Sequence, residues 1–258
     1  MRDPLAPDIR RFTMARVGLG RTGNSIATRD LLDFQLAHAR ARDAVHAPFD
    51  VRALAAQLEA AGLIPLVVAS AARSRYEYLR RPDLGRCLSE DSRNTMQQVS
   101  GPFDIVFIVA DGLSPLAVQT QAAPLLQLVT ARLDPAEWRV GPVIIAAESR
   151  VALGDEIGSI AQASLTVMLI GERPGLSSFD SMGIYLTWSP KPGRTDADRN
   201  CISNIRPEGL AIGAAGELLL LLMREARATR ISGVSLKPAS ISQGVSNLSI
   251  AADAETLP

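Results

Sequence analysis

The chain has 258 residues with 27 basic and 27 acidic side chains, so it carries no net charge at neutral pH. This balance provides no field that would attract nucleic acid or an anionic membrane surface, and no window reaches the roughly 18 uncharged apolar residues of a transmembrane helix. The two cysteines lie far apart and there are only two histidines, which excludes a disulfide framework and a histidine metal cluster; we therefore expect a soluble, cytoplasmic protein.

The first 62 residues are expected to form an N-terminal arm followed by helices. Residues 1–23 are predicted to be the arm. In residues 28–46, leucines and Phe34 recur at positions that favour a helix, and charged residues occupy its wet side. Residues 51–61 predict a second helix, which Gly62 closes because glycine readily adopts the left-handed conformation of a C-cap.

From residue 63 onwards, predicted strands and helices alternate. Residues 63–69 predict a strand in which Pro65 favours an edge position. Residues 103–110, FDIVFIVA, are typical of a strand covered on both faces. Ser114 and Pro115 suit the cap and first position of a helix that extends to about residue 133. Further strands are predicted at 140–147, 165–170 and 183–187, and further helices from residue 155 and at 211–227.

This order predicts an α/β, Rossmann-like fold, in which a mainly parallel sheet is flanked by helices and preceded by the N-terminal arm and helical extension. We place the arm and helices at residues 1–62 and the α/β domain at residues 63–233. The serine-rich tail, residues 234–258, is expected to be partly disordered.

Several polar loops are predicted to meet at one edge of this sheet. Ligands of such sheets bind outside the carboxyl ends of the strands, and loops 111–114, 148–151 and 171–175 leave those ends. Residues 190–209 follow the last, shorter strand, and their prolines and glycines stop regular structure. We therefore predict a long loop there, which places short polar side chains around Cys201 and joins the other three loops.

Two motifs point to other functions and are weaker. GLGRTG at 18–23 has the glycine spacing of a dinucleotide-binding turn, but no convincing strand precedes it. An arm that contacts a partner is therefore favoured over an NAD-dependent oxidoreductase. Arginines and tyrosines at 73–86 are interleaved with acidic residues, which favours a salt-bridged protein interface over a nucleic-acid site.

Glu172 and Cys201 are the best candidates for contact with a ligand. Glu172 follows an apolar strand, so it is either a surface ion pair with Arg173, worth little, or a carboxylate that accepts hydrogen bonds from amide groups of a ligand. Cys201 is either an ordinary small apolar residue or a compact side chain that touches that ligand. The residues alone leave both alternatives open.

Several segments resemble the small (light) subunit of ethanolamine ammonia-lyase, in the same order and with similar spacing. Together they cover nearly the whole chain, roughly residues 15–227. The segments are LLDFQLAHARARDAVH at 31–46, YLRRPDLGRCL at 78–88, ADGLS at 110–114, SRVALGDEIG at 149–158, GERPGL at 171–176 and DRNCISNIRPEGL at 198–210.

The resemblance implies an adenosylcobalamin-dependent enzyme that converts ethanolamine to acetaldehyde and ammonia by a radical mechanism. It implies that this chain helps to bind cobalamin at the interface with the large catalytic subunit, through Val151, Glu172 and Cys201. The substrate site is expected in a TIM barrel of the large subunit, so no catalytic residue and no metal ligand is expected in this chain. The cofactor's own dimethylbenzimidazole is expected to be the lower ligand of cobalt.

The resemblance also implies an assembly of six large and six small subunits. Residence in a bacterial microcompartment is left open, because residues 1–14 depart from the N-terminal extensions that direct longer family members there. A non-catalytic adaptor that binds the large subunit without touching the cofactor is the remaining alternative.

Overall fold

The computed structural model describes residues 13, 15–99 and 101–236. Eight strands are formed: β1 (Arg21–Thr22), β2 (Ser25–Ile26), β3 (Pro65–Ala69), β4 (Phe103–Ala110), β5 (Val143–Ala147), β6 (Ala163–Gly171), β7 (Met182–Trp188) and β8 (Arg199–Ile205). Seven α-helices accompany them: α1 (Thr28–His46), α2 (Val51–Ala60), α3 (Arg75–Arg80), α4 (Glu90–Gln97), α5 (Pro115–Thr130), α6 (Leu153–Ile160) and α7 (Ile212–Thr229). Short 3-10 helices lie at Leu84–Arg86, Asp196–Asp198 and Gly233–Ser235.

Six of the strands form one sheet in the order β3-β5-β4-β6-β7-β8. The first four are parallel, whereas β7 and β8 are antiparallel to their neighbours. The predicted α/β fold with a mainly parallel sheet is confirmed, and Pro65 lies in an edge strand as expected. The strand order is not that of the classical Rossmann fold, in which the first three parallel strands run 3-2-1, so that finer description is not confirmed.

Helices cover both faces of the parallel strands. Ile105, Phe107 and Val109 of β4 point into one core, which includes apolar residues of α2, α5 and α7. The alternate residues of the same strand point into a second core, which includes apolar residues of α4 and α6. A strand that is covered on both faces needs apolar residues at every position, and the prediction for residues 103–110 is confirmed.

The N-terminal helices form where they are predicted, but their burial differs from the expectation. Gly62 closes α2 with a left-handed φ of 78°. In α1, by contrast, only Ala37 and Ala44 are buried, and its leucines are exposed, with Leu32 at 58% of full exposure. The apolar positions of α1 therefore do not pack on the core of this chain.

Ser114 occupies the N-cap position of α5 as predicted, but its side chain makes no capping hydrogen bond. Its hydroxyl is fully buried and donates to the carbonyl oxygen of Phe179 at 2.8 Å. The helix still begins at Pro115, as the fixed φ of proline at a first position allows. Ser114 thus fixes the chain between β6 and β7 instead of capping a helix.

The prediction of one long loop at residues 190–209 is wrong, because this segment contains a 3-10 helix and strand β8. Ile202 and Ile205 are buried in the first core, and β7 supplies the hydrogen-bonding edge. Packing and pairing of this kind override a low local strand propensity. Because β7 is antiparallel, the segment starts at the opposite edge of the sheet, and only the end of β8 returns to the loops that follow the parallel strands.

Candidate functional site

The three loops at the carboxyl ends of the parallel strands meet as predicted. The Asp111 carboxylate accepts a hydrogen bond from the backbone N–H of Ser149 at 3.0 Å. The backbone N–H of Leu113 donates to the carbonyl oxygen of Gly171 at 2.9 Å. A side chain at Gly112, whose φ is 54°, would lie 2.2 Å from that same carbonyl oxygen, so the close approach of these loops requires glycine there.

A buried charged network supports this edge, and the sequence analysis did not identify it. Arg75 donates to the carboxylate of Asp111 at 2.8 Å and to that of Glu148 at 3.4 Å. Two guanidinium groups lie over the Tyr78 ring, with the Cζ atoms of Arg75 and Arg150 at 4.9 Å and 4.3 Å from the ring centroid. The Tyr78 hydroxyl donates to the carbonyl oxygen of Ser149 at 3.0 Å. The arginine and tyrosine stretch at 73–86 thus serves, at least in part, to fix the turn before α6.

Burial dominates the ionisation of this network. The Asp111 side chain is 1% exposed, and burial raises its pKa to about 7. The hydrogen bond from Ser149 and the charge of Arg75 favour the carboxylate but do not outweigh burial. Burial also raises the pKa of Glu148, which has a left-handed φ of 52°. A left-handed backbone conformation is strained in a non-glycine residue and persists only where the surrounding structure enforces it.

The raised pKa of Asp111 predicts how stability changes with pH. Since an unfolded aspartate titrates near pH 4, the folded chain binds more protons than the unfolded chain between about pH 4 and pH 7. Stability from this group therefore falls as pH rises through that range, and Asp111→Asn abolishes the effect. We expect the free energy of unfolding of the wild type, minus that of the variant, to fall from pH 4 to pH 7 in urea titrations. A difference that rises with pH would contradict this assignment.

Glu172 lies at the end of β6, and its side chain reaches across β7. One carboxylate oxygen, Oε2, accepts hydrogen bonds from the Ser181 hydroxyl at 2.5 Å and from the backbone N–H of Asn204 at 3.2 Å. The other, Oε1, accepts none from the described residues and lies over Gly183, where an added Cβ would be 2.8 Å away. Glu172 forms no salt bridge with Arg173 in the described part of the chain. The carboxylate is therefore held in place with one oxygen left to accept a hydrogen bond.

Cys201 lies on the same face of the sheet as Glu172. It pairs with Tyr185 across β7 and β8, and Tyr185 pairs with Met168 of β6; directly opposed residues share a face. Cys201 is exposed and Tyr185 is half-buried. Although the residue is exposed as a whole, desolvation of its thiol raises the pKa of Cys201. A hydrogen bond with Tyr185 opposes this shift, and the charges of Glu172 and Asp196 add to it. The thiol is therefore neutral at physiological pH and suits contact with an apolar surface better than nucleophilic attack.

Val151 stands at the border of the same face, just before α6. It is half-buried and packs against the second core, as Tyr185 does. The first turn of α6 is tied to β8 by a buried ion pair, in which both carboxylate oxygens of Asp155 accept from Arg199 at 2.6 Å. The structure thus places all three predicted residues, Val151, Glu172 and Cys201, on one side of the sheet. Their contact with a cofactor stays a prediction.

The glycine-rich motif at 18–23 does not have the geometry of a dinucleotide site. Its residues enter a hairpin of two short antiparallel strands, β1 and β2, and the described residues before it form no strand. A pyrophosphate site needs a strand, a tight turn and a helix N-terminus in succession. This geometry agrees with the prediction that disfavours NAD binding at this motif.

Two further features of the described residues bear on function. No group of three or more histidine, cysteine, aspartate or glutamate side chains is arranged to hold a metal ion there. Among the helices in those same residues, none combines the length and the apolar character needed to cross a membrane.

Comparisons with known proteins decide the family. The profile of the family described as "Ethanolamine ammonia-lyase light chain (EutC)" matches residues 3–237. The chain belongs to the ethanolamine ammonia-lyase light-chain family. The match spans the hairpin, both cores and the three candidate residues, so the resemblance in the separate segments extends over the folded unit.

Named relatives agree with this membership of the ethanolamine ammonia-lyase light-chain family. The chain is 53% identical over 241 residues to "Ethanolamine ammonia-lyase small subunit" of Pseudomonas fluorescens (strain Pf0-1), with 91% of this chain and 88% of the relative covered. It is 53% identical over 235 residues to the protein of that name from Rhodopseudomonas palustris (strain BisA53), covering 91% and 90%. For Pseudomonas aeruginosa (strain LESB58) the identity is 51% over 233 residues, covering 89% and 85%.

Proposed function

We propose that this chain is the small subunit of an adenosylcobalamin-dependent ethanolamine ammonia-lyase and covers one part of the cofactor at the interface with the large subunit. The observation that carries the proposal is the open face of β7 and β8. There, Cys201 and Ser203 are exposed and Tyr185 is half-buried, although the opposite face of the same strands packs into the first core.

The residues on this face suit a corrin ring. A corrin is a broad apolar macrocycle with amide groups around its rim, so it needs a flat surface and fixed hydrogen-bond acceptors. Gly183 places no side chain between the sheet and the Glu172 carboxylate, whose Oε1 is free to accept from an amide. Cys201 and Tyr185 supply the flat surface, and Val151 supplies apolar contact at its border.

The role of this chain in the reaction is to bind and orient the cofactor and to exclude water. When bound, adenosylcobalamin supplies the carbon-centred radical that starts a rearrangement of ethanolamine to acetaldehyde and ammonia. Glu172 fixes the rim of the ring, and the apolar contacts of Val151 and Tyr185 keep solvent from it. The six-stranded open sheet of this chain is not a barrel, and we place the substrate site in the large subunit.

Exposed apolar residues on α1 support a partner subunit. Leu31, Leu32, Phe34 and Leu36 are each more than 40% exposed, and several large apolar side chains left exposed on one helix suit a protein contact. We propose a hetero-oligomer of six large and six small subunits, located in the cytoplasm, with residence in a bacterial microcompartment as an open alternative.

The proposal predicts that activity requires both subunits. The large subunit, this chain and their mixture should each be assayed for acetaldehyde formation from ethanolamine with adenosylcobalamin. We expect activity in the mixture only, at least about 100-fold above either protein alone, because bound cofactor must be held from both sides before it is productively placed. A mixture that is inactive while both proteins are folded would refute the proposed function.

A further inference from the structure

An arginine-lined cavity lies beside the open face, and its arginines take no part in the cofactor contacts proposed above. It lies between the first turn of α6, the 3-10 turn at Leu84–Arg86 and residues 192–196, and it has a volume of about 800 Å³. Cavities that bind small ligands commonly have volumes of roughly 300–1,000 Å³. Val151 lines this cavity, so the cavity adjoins the face proposed to cover the cofactor. Its arginines are Arg86, Arg93, Arg150, Arg194 and Arg199.

Three of these arginines are neutralised by neighbouring carboxylates. Arg199 pairs with Asp155 at 2.6 Å and Arg93 with Glu156 at 2.7 Å. Arg194 pairs with Asp198 at 3.2 Å. Asp196 also lines the cavity, 3.9 Å from Arg199, so the five arginines face four carboxylates. Arg86 and Arg150 are the two cavity arginines without a salt bridge in the described part of this chain.

Arg150 is held in a fixed position with donors left over. Its backbone N–H donates to the carbonyl oxygen of Gly85 at 2.8 Å, and its guanidinium stacks on the Tyr78 ring. One terminal nitrogen donates weakly to the carbonyl oxygen of Tyr78 at 3.4 Å. Its Nε is buried and has no acceptor among the described residues. A planar guanidinium in fixed orientation suits a phosphate group.

We propose that this cavity binds a phosphodiester through Arg86 and Arg150. The assignment rests on the proposed function and identifies the ligand as the phosphodiester in the nucleotide tail of cobalamin. That group is the one charged group among the peripheral side chains of the cofactor, since the polar groups of the others are neutral amides. Val151 connects the two parts of the site, since it borders the open face and lines the cavity.

The test compares two ligands that differ in this group. Cyanocobalamin carries the nucleotide tail with its phosphodiester, whereas dicyanocobinamide lacks both. Each is titrated into the complex of large and small subunits, and the bound corrinoid is measured by its absorbance after ultrafiltration. The variants are Arg86→Met and Arg150→Met, which keep an apolar stem and remove the charge. Arg52→Met, at an exposed position of α2 outside the cavity, is the matched control.

We expect each cavity variant to raise the Kd of cyanocobalamin by about 10-fold or more, since each loses a charge-assisted hydrogen bond. The Kd of dicyanocobinamide should not change, which also shows that the variants remain folded and assembled. The control should alter neither value. An equal loss for both ligands, or no loss for either, would overturn the phosphodiester assignment and leave the proposed function standing. Failure of the wild-type complex to bind either ligand would instead overturn the proposed function, and this inference with it.

Discussion

Asp155→Ala is expected to lower the free energy of unfolding by about 3–5 kcal/mol, the cost of leaving a buried charge without its partner. The side chains of Asp155 and Arg199 are 2% and 3% exposed and are joined by two hydrogen bonds of 2.6 Å. Arg199 also donates to the Thr187 hydroxyl at 3.0 Å. Removing the carboxylate leaves the guanidinium, which is 3% exposed, without its two-oxygen acceptor between α6 and β8.

An exposed ion pair provides the matched control for this prediction. Arg81 and Asp83 also lie 2.6 Å apart, but both side chains are 59% exposed, so Asp83→Ala should have little effect on stability. The double variant Asp155→Leu with Arg199→Met should recover much of the loss, because apolar pairs of similar volume often replace buried ion pairs at little cost. Urea unfolding of the full-length chain measures all three. Equal effects of Asp155→Ala and Asp83→Ala would show that the buried pair has no special role.

The parallel part of the fold could be predicted because its signals are local. Residues 103–110 are apolar at every position, and this pattern alone requires cover on both faces of the strand. Gly62 and Pro115 are likewise explained by the backbone conformations that their own positions need. The same local chemistry placed polar loops at the strand ends, and the bond between Asp111 and Ser149 confirms that these loops meet.

The strand predicted at residues 183–187 corresponds to β7. Its antiparallel direction and strand β8 could not be predicted, because their determinants are distant in the sequence. β8 is polar at most positions, and it is a strand because β7 offers an edge and Ile202 and Ile205 find space in the core. Arg199 is more than 40 residues from Asp155 in the sequence, so their pairing leaves no local pattern. Tyr185 had a detectable signal, as an aromatic residue within an alternating strand, but its exposure on an open face depends on which helices cover the sheet.

The residues of the proposed cofactor contact show the same difference between local and distant determinants. Glu172 was identified because it follows an apolar strand, at the edge of the sheet where ligands bind, whereas Gly183, which leaves room for it, appears in the sequence as an ordinary strand glycine. The importance of Gly183 follows only from the register that places it under the Glu172 carboxylate. Glu172 and Gly183 therefore allow a test of the cofactor site in which a change at Gly183 acts through the Glu172 side chain.

Glu172→Ala is expected to weaken the binding of adenosylcobalamin to the complex by about 10- to 100-fold, the usual effect of losing a hydrogen bond to a charged acceptor. Glu172→Gln keeps an acceptor oxygen and should lose less. Gly183→Ala retains the Glu172 carboxylate but puts a methyl group 2.8 Å from the present position of Oε1. The methyl group should displace that oxygen and cause an intermediate loss of affinity.

Glu59→Ala, at an exposed position of α2, provides the control and should leave the affinity unchanged. The binding constants come from titrating the reconstituted complex with adenosylcobalamin while its absorbance and acetaldehyde formation are followed. If all variants bind and react like the wild type, the chain is an adaptor that does not touch the cofactor. We expect the loss of affinity to decrease in the order Glu172→Ala, Gly183→Ala, Glu59→Ala. A change in subunit assembly alone would not produce this order, because Gly183→Ala removes no charge and its added methyl group meets the Glu172 side chain.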